Sequence, residues 1–143
     1  MTIAIGSDQP GFRLKEEIAD LLRTGGHDLQ DFGAFSEEPV DYPDIAHKVA
    51  EAVAAGRFDR GILMCGTGIG MCMTANKVRG IRAATCSEEY SARMSREHNN
   101  ANVLCLGGRT TGVELAKSIV KVWLAAEFDP ASRHARRVDK IEL

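Results

Sequence analysis

The chain has 143 residues, 44% of them hydrophobic and 27% charged, with a formal net charge of −2. That length fits one domain and supplies enough apolar residues for a core without disulfides or metal. The charge balance excludes the basic field that a nucleic-acid binder needs, and no run reaches the ~18 apolar residues of a membrane-spanning helix.

Strand and helix signals alternate along the chain. Residues 3–7 are a short apolar run, and the first eight residues read as strand rather than as a secretory leader. Phe12, Leu14, Ile18, Leu21 and Leu22 have helical spacing and stop at Gly25-Gly26. A weaker strand follows at about 28–32, then a loop rich in acids and prolines (36–43) and a helix over about 44–55. Residues 60–65 are the clearest buried strand and run into Gly66-Thr67-Gly68-Ile69-Gly70. A helix through Ala75, a strand at 81–85, a charged helix at 88–97, a strand at 102–106 and a helix at 113–125 complete the pattern. The tail from about 129 to 143 carries Arg133, His134, Arg136, Arg137 and Lys140.

This alternation predicts an α/β fold, a Rossmann-like three-layer sandwich around a five-stranded parallel sheet, forming a single domain over 1–143. In such sheets ligands bind beyond the carboxyl ends of the strands, which singles out Asp8, the loop from Cys65 to Gly70, and the turn from Gly107 to Arg109. The four cysteines, Cys65, Cys72, Cys86 and Cys105, form no Cys-x-x-Cys pair. They read as reduced thiols of a cytoplasmic protein, without a metal site.

In the segment from Cys65 to Gly70 a buried strand ends in a thiol, and three glycines precede a helix. Glycine lets backbone amides approach an anion, and the helix N-terminus adds positive potential. Three readings compete: an anion cradle, a reactive cysteine and a plain tight turn. A Walker loop is excluded because Gly70 is followed by Met71-Cys72, not Lys-Ser/Thr. A Cys-x5-Arg phosphatase loop is excluded because position 71 is methionine.

His98-Asn99-Asn100 stands just before the last strand, either as a proton-transfer group or as an exposed helix stop. Arg109, Arg133 and Arg137 are suited to a phosphate, since a guanidinium grips one by a bidentate fork; a solvated basic terminus has the same composition. Asp8 either bonds hydroxyls of a ligand or caps the first helix. A phosphate site, a thiol base and a histidine acid together suit enolisation beside a carbonyl better than hydrolysis or hydride transfer.

The sequence resembles the ribose-5-phosphate isomerase B family with its related galactose-6-phosphate isomerase subunits, over essentially the whole chain. The resemblance is carried by Gly6-Ser7-Asp8, Asp41-Tyr42-Pro43, the Cys65–Gly70 loop, Ala75-Asn76-Lys77, Gly80-Ile81-Arg82-Ala83, Arg96-Glu97-His98-Asn99-Asn100 and Arg133-His134-Ala135-Arg136-Arg137-Val138. It implies an aldose–ketose isomerase acting through a cis-enediolate, with Cys65 as base and His98 as ring-opening acid. Other members carry a glutamate base at the place of Met71, so this chain fits the cysteine branch. The resemblance also implies that Thr67 and the amides of Gly66, Gly68, Ile69 and Gly70 face the developing oxyanion. Asp8, Gln9 and Asn99 would contact the sugar, and Arg109, Arg133 and Arg137 its phosphate. The expected ligand is a small phosphorylated sugar, with no cofactor and no metal. The expected assembly is a homodimer or dimer of dimers whose sites are lined by both subunits, the arm at 129–143 reaching across.

One departure stands out. The family has Asp-His after the first strand, where this chain has Asp8-Gln9-Pro10. The alternatives are therefore an isomerase of a tetrose or hexose phosphate, or a non-catalytic sugar-phosphate-binding module.

Overall fold

The computed structural model describes residues 1–142. In chain order the elements are β1 (Thr2–Ser7), α1 (Phe12–Thr24), β2 (Asp28–Asp31), α2 (Tyr42–Ala54), β3 (Arg60–Cys65) and α3 (Ile69–Ala75). They continue with β4 (Ala83–Thr85), α4 (Glu89–Glu97), β5 (Val103–Gly107), α5 (Val113–Ala125) and α6 (His134–Ile141). The five strands form one parallel sheet in the order β2-β1-β3-β5-β4. The fold is therefore the α/β sandwich expected from the sequence.

The central strands β1, β3 and β5 are buried almost throughout, while the edge strands β2 and β4 are partly exposed. Both faces of the sheet are covered, so the central strands read as unbroken apolar runs instead of alternating. One face packs Ile3, Ile5, Ile62, Met64, Leu104 and Leu106 against Leu14 and Ile18 of α1, Ala92 of α4 and Trp123 of α5. The other packs Ala4, Leu63, Val103 and Cys105 against Val49 of α2 and Met71 of α3. Right-handed crossovers require this division, because α1 and α4 join strands in the direction opposite to α2 and α3.

The chain leaves β3 towards one face, and leaves its neighbours β1 and β5 towards the other. The crevices at the carboxyl end of β3 are thus the switch points where a ligand fits. Helix α2 starts at Tyr42 and not at about 44, β5 runs one residue later than 102–106, and two further details differ from the sequence pattern. β4 starts at Ala83 and not at 81, because the Arg82 amide donates to Asn102 Oδ1 (2.8 Å) and the Ala83 amide to Asn76 Oδ1 (2.8 Å). Side chains, not a neighbouring strand, accept these first amides. The basic tail contains a helix, α6, anchored by buried Val138 and by an ion pair from Arg82 to Glu142.

Lys15 of α1 is fully buried, with its ammonium donating to both carboxylate oxygens of Asp31 (2.9 and 2.7 Å) and to the Ala34 carbonyl. It ties α1 to the chain leaving β2. Lys15→Met should leave Asp31 without its cation and remove about 3 kcal/mol of stability. Urea unfolding checks this; a midpoint within error of wild type would show that the pair is neutral.

Candidate active site

Three backbone segments meet at the carboxyl end of β3. The Asp8 amide donates to the Met64 carbonyl (3.3 Å), the Gly108 amide to Cys65 O (2.8 Å) and the Arg109 amide to Gly66 O (2.9 Å). These bonds bring Asp8, the Cys65 loop and Arg109 together. The Arg109 side chain passes over Gly66, and a Cβ there would stand 3.7 Å from Nη1.

Cys65 is 6% exposed, and its sulfur accepts the Gly68 N–H at 3.1 Å. Gly68 has φ 82°, the left-handed region that glycine enters without steric cost, and from it α3 begins. A Cβ at Gly68 would also lie 3.0 Å from the Leu106 carbonyl carbon, so the loop is seated closely on β5. The hydroxyl of Thr67, an exposed residue, accepts the Ile69 amide (3.2 Å). Two of the loop amides are thus turned on side chains of the loop itself.

Asp8 is 7% exposed, and its Oδ1 accepts the Gly11 amide at 3.2 Å. Burial pushes its carboxyl above the ordinary value, while the Gly11 amide and the Arg109 charge pull it back. Asp8 thus holds the turn into α1 and also faces the arginine. Gln9 Oε1 accepts the Val40 amide (3.3 Å), which ties the acidic loop to this edge.

The remaining predicted residues lie elsewhere. Helices run antiparallel to the strands, so α4 delivers His98 and Asn99 to the amino edge of the sheet. There Asn102 O accepts the Gly61 amide and Val103 pairs with Gly61, whereas Cys65 pairs with Gly107. Four residues of strand at roughly 3.3 Å each put about 13 Å between those two levels. At the amino edge the His98 ring stacks on the His134 ring, centroids 4.0 Å apart and planes 20° apart. Desolvation and the nearby His98, Arg133 and Arg137 hold the His134 imidazole below its ordinary value, favouring its neutral form. The structure therefore sorts the residues into two half-sites. Asp8, Gln9, the 65–70 loop and Arg109 make one; His98, Asn99, Arg133 and Arg137 make the other, with His134 among them.

Two neighbours carried no chemical signal of their own in the sequence. His134 follows an arginine in a basic run, and only the ring stack reveals its link to His98. Tyr42 packs so closely on Gly70 that a Cβ there would run into its ring. A hollow of about 680 Å³ opens at the amino edge of β4 and includes Asn99, but none of the Cys65 half-site.

The fold is an open α/β sandwich, and a buried thiol stands in the crevice at the carboxyl edge of its sheet. The family model described as Ribose/Galactose Isomerase matches residues 3–141, and the chain belongs to that family. Ribose-5-phosphate isomerase B of Escherichia coli (strain K12) is 52% identical over 139 residues, covering 97% of this chain and 93% of that protein. D-erythrulose-4-phosphate isomerase of Pectobacterium atrosepticum is 48% identical, covering 99% of this chain and 93% of that protein. The solved structure of Clostridium thermocellum ribose-5-phosphate isomerase B superposes with a TM-score of 0.97 at 58% identity, covering 99% of this chain and 95% of that one.

The other three thiols sit in different surroundings. Hydrogen bonding to Cys105, and to Thr85, outweighs burial and holds Cys72 at about 6. Burial pushes Cys86 up to about 11 and Cys105 well above its ordinary value. A thiol below the ambient pH is mostly thiolate, the nucleophilic form. Iodoacetamide at pH 7 should therefore label Cys72 well before Cys86 and Cys105, as read by peptide mass mapping. Equal labelling of these three would show that the hydrogen bonds do not set the order.

Proposed function

We propose that this chain interconverts a phosphorylated aldose and its ketose, of the ribose 5-phosphate/ribulose 5-phosphate type, through a cis-enediolate. Membership of the family makes it a sugar-phosphate isomerase; the sugar and the residue roles are the proposal. The observation that carries it is a buried thiol in the switch-point crevice, receiving the Gly68 N–H at the start of α3.

In this reading Cys65 removes the proton from C2 of the open aldose; the electrons of the C2–H bond form the enediolate double bond, and charge develops on O1. The O2 proton then passes to O1, and as Cys65 returns its proton to C1 the C2–O2 bond becomes the ketose carbonyl. Exposed Thr67 and the amides around Gly66 and Gly70 stand beside that oxygen and stabilise it. Met71, buried and apolar, offers no competing base. Arg109 holds the phosphate from this half. His98 opens the furanose, Asn99 contacts the sugar, and Arg133 and Arg137 complete the phosphate grip from the other half. The chemistry needs no cofactor. Four free thiols fit a cytoplasmic setting, and no helix among the described residues is long and apolar enough to cross a membrane.

The two half-sites lie at opposite edges of the sheet, so each complete site is built from two copies of the chain. Ile69 (52% exposed) and Met73 (65% exposed) give α3 an apolar outer face beside the Cys65 loop, suited to cover by a partner. Complementation tests both the chemistry and the pairing. Cys65→Ala should lower turnover of ribose 5-phosphate by at least about 10²-fold, as loss of a general base does. Arg137→Ala should be inactive at low substrate. In a twofold dimer a hybrid of the two has one intact and one doubly damaged site, so random subunit exchange should restore about a quarter of wild-type activity. Near-wild-type turnover by Cys65→Ala would overturn the base assignment. No recovery with exchange verified would place both residues in one chain's site.

A second reading, a tetrose or hexose phosphate as preferred substrate, is favoured by Gln9 and by the relative named for D-erythrulose 4-phosphate. Gln9 adds no charge near the ligand, unlike a protonated histidine. One hydrogen bond to a hydroxyl changes preference by about threefold to tenfold. Measuring kcat/KM across tetrose, pentose and hexose phosphates, with Gln9→His beside wild type, should show such a shift in the ratios. A panel led by ribose 5-phosphate, with ratios unmoved by Gln9→His, would remove Gln9 from specificity. No turnover of any sugar phosphate would favour the binding-module alternative.

A further inference from the structure

α4 ends at Glu97 and the chain must reverse before it enters β5 at Val103. The reversal is made by Asn100, whose φ of 48° lies in the left-handed region. The Asn100 amide returns to Arg96 O (3.1 Å) and the Ala101 amide to Ser95 O (2.8 Å). His98 and Asn99 sit inside that turn, between the helix end and the reversal.

Arg96 lies beneath the turn and is 3% exposed. Its Nη1 donates to Asn100 Oδ1 (3.0 Å) and to the Ala101 carbonyl (2.5 Å), while its guanidinium lies 5.8 Å from the centre of the Trp123 ring. Its Nε makes no hydrogen bond among the described residues. Burial, with the charges of Arg60 and Arg82, lowers it to about 10, so it remains a cation at neutral pH. No salt bridge compensates it among the described residues, whose ion pairs involve other groups.

A buried cation flanked by two more is a poor device for stability, since an apolar side chain of similar volume is commonly neutral or better. An apolar side chain could not make the two hydrogen bonds that Arg96 places on Asn100 and Ala101. Those bonds brace the reversal in which His98 is held. We propose that Arg96 is a positioning residue, holding the turn so that His98 is aimed at the ring oxygen of a furanose substrate. This rests on the reading of His98 as ring-opening acid.

The step concerned is specific. The ring oxygen O4 gains a proton as the C1–O4 bond breaks, C1 becomes a carbonyl, and the anomeric hydroxyl releases its proton to water. D-ribose 5-phosphate requires it. D-erythrose 4-phosphate does not, because its C4 oxygen carries the phosphate and cannot close on C1. A turn that only stabilises the fold would affect both substrates alike. A turn that aims the acid should affect the pentose selectively.

The test is kcat/KM for D-ribose 5-phosphate and D-erythrose 4-phosphate with wild type, Arg96→Met, Arg96→Lys and His98→Asn. Arg96→Met should lose at least about tenfold more activity on the pentose than on the tetrose, the scale of a misplaced catalytic group. Arg96→Lys should recover part of that loss, since one ammonium can donate to both acceptors. Equal losses on the two substrates, or none, would overturn the proposal. His98→Asn should change the ratio in the same sense; no change there would instead overturn the ring-opening role of His98. If Arg96→Met does not fold, Asn100→Gly keeps the left-handed turn but removes one acceptor, and should shift the ratio the same way. If wild type is inert to the tetrose, anomer interconversion of ribose 5-phosphate, followed by saturation-transfer NMR in a Cys65→Ala background, isolates ring opening. Adding Arg96→Met should then slow the enzyme-promoted exchange, and unchanged exchange would overturn the proposal.

Discussion

The carboxyl edge of the molecule depends on three carbonyls in succession at the end of β3. Those of Met64, Cys65 and Gly66 accept amides from Asp8, Gly108 and Arg109, extending the sheet's hydrogen bonding past the strands themselves. Only a strand with partners on both sides can do this, and β3 lies between β1 and β5. Such a strand is covered on both faces, so its residues must be apolar. The hydrophobicity of Ile62, Leu63 and Met64 and the placement of Cys65 beside Asp8 and Arg109 therefore have one cause.

The same topology separates the two half-sites. In a parallel sheet with helical crossovers, the residues that follow strands gather at one edge and those that follow helices at the other. Cys65 follows a strand; His98 and Asn99 follow α4. The tail leaves α5 at the amino edge, and the Arg82–Glu142 ion pair keeps the end of α6 there. No local rearrangement of a loop can bring a thiol after β3 to a histidine after α4. Two copies related by a twofold axis can bring them together, and symmetry then gives two equivalent sites.

This division explains what was legible in the sequence. Elements whose apolar pattern reflects burial were plain: β3 and α5 have the bounds that their composition suggests, and the glycines at 25–26 close α1. The start of β4 was not, because Ile81 is buried and apolar yet precedes the strand, with the Asn76 and Asn102 side chains taking the neighbouring amides. Helix α6 was hidden for the opposite reason. Seven charged residues stand among 129–142, and the one buried apolar side chain among them is Val138. The candidate site residues were each visible as residue types. Their distribution over two edges was not, since it follows from strand order and not from spacing along the chain. The His98–His134 stack and the burial of Arg96 are likewise contacts between segments far apart in sequence or packed beneath a turn.

Gln9 shows what an uncharged amide does at the edge of the crevice. Its Oε1 accepts the Val40 amide, so one end of the side chain is committed to tying the loop at 36–41. The tie uses the oxygen alone and makes no demand on the amide nitrogen. A histidine in the same place could keep that tie only through an unprotonated ring nitrogen, leaving the other as a single donor. Once protonated it would have no acceptor, and the tie to Val40 would be lost as the charge appeared. Glutamine has no such conflict: its acceptor and its donors are fixed at every pH near neutrality. The loop tether is thus independent of pH here, where a titrating ring would have made it pH-dependent. Glutamine also carries no charge at any of these pH values, which leaves Arg109 as the formal cation of this group of residues.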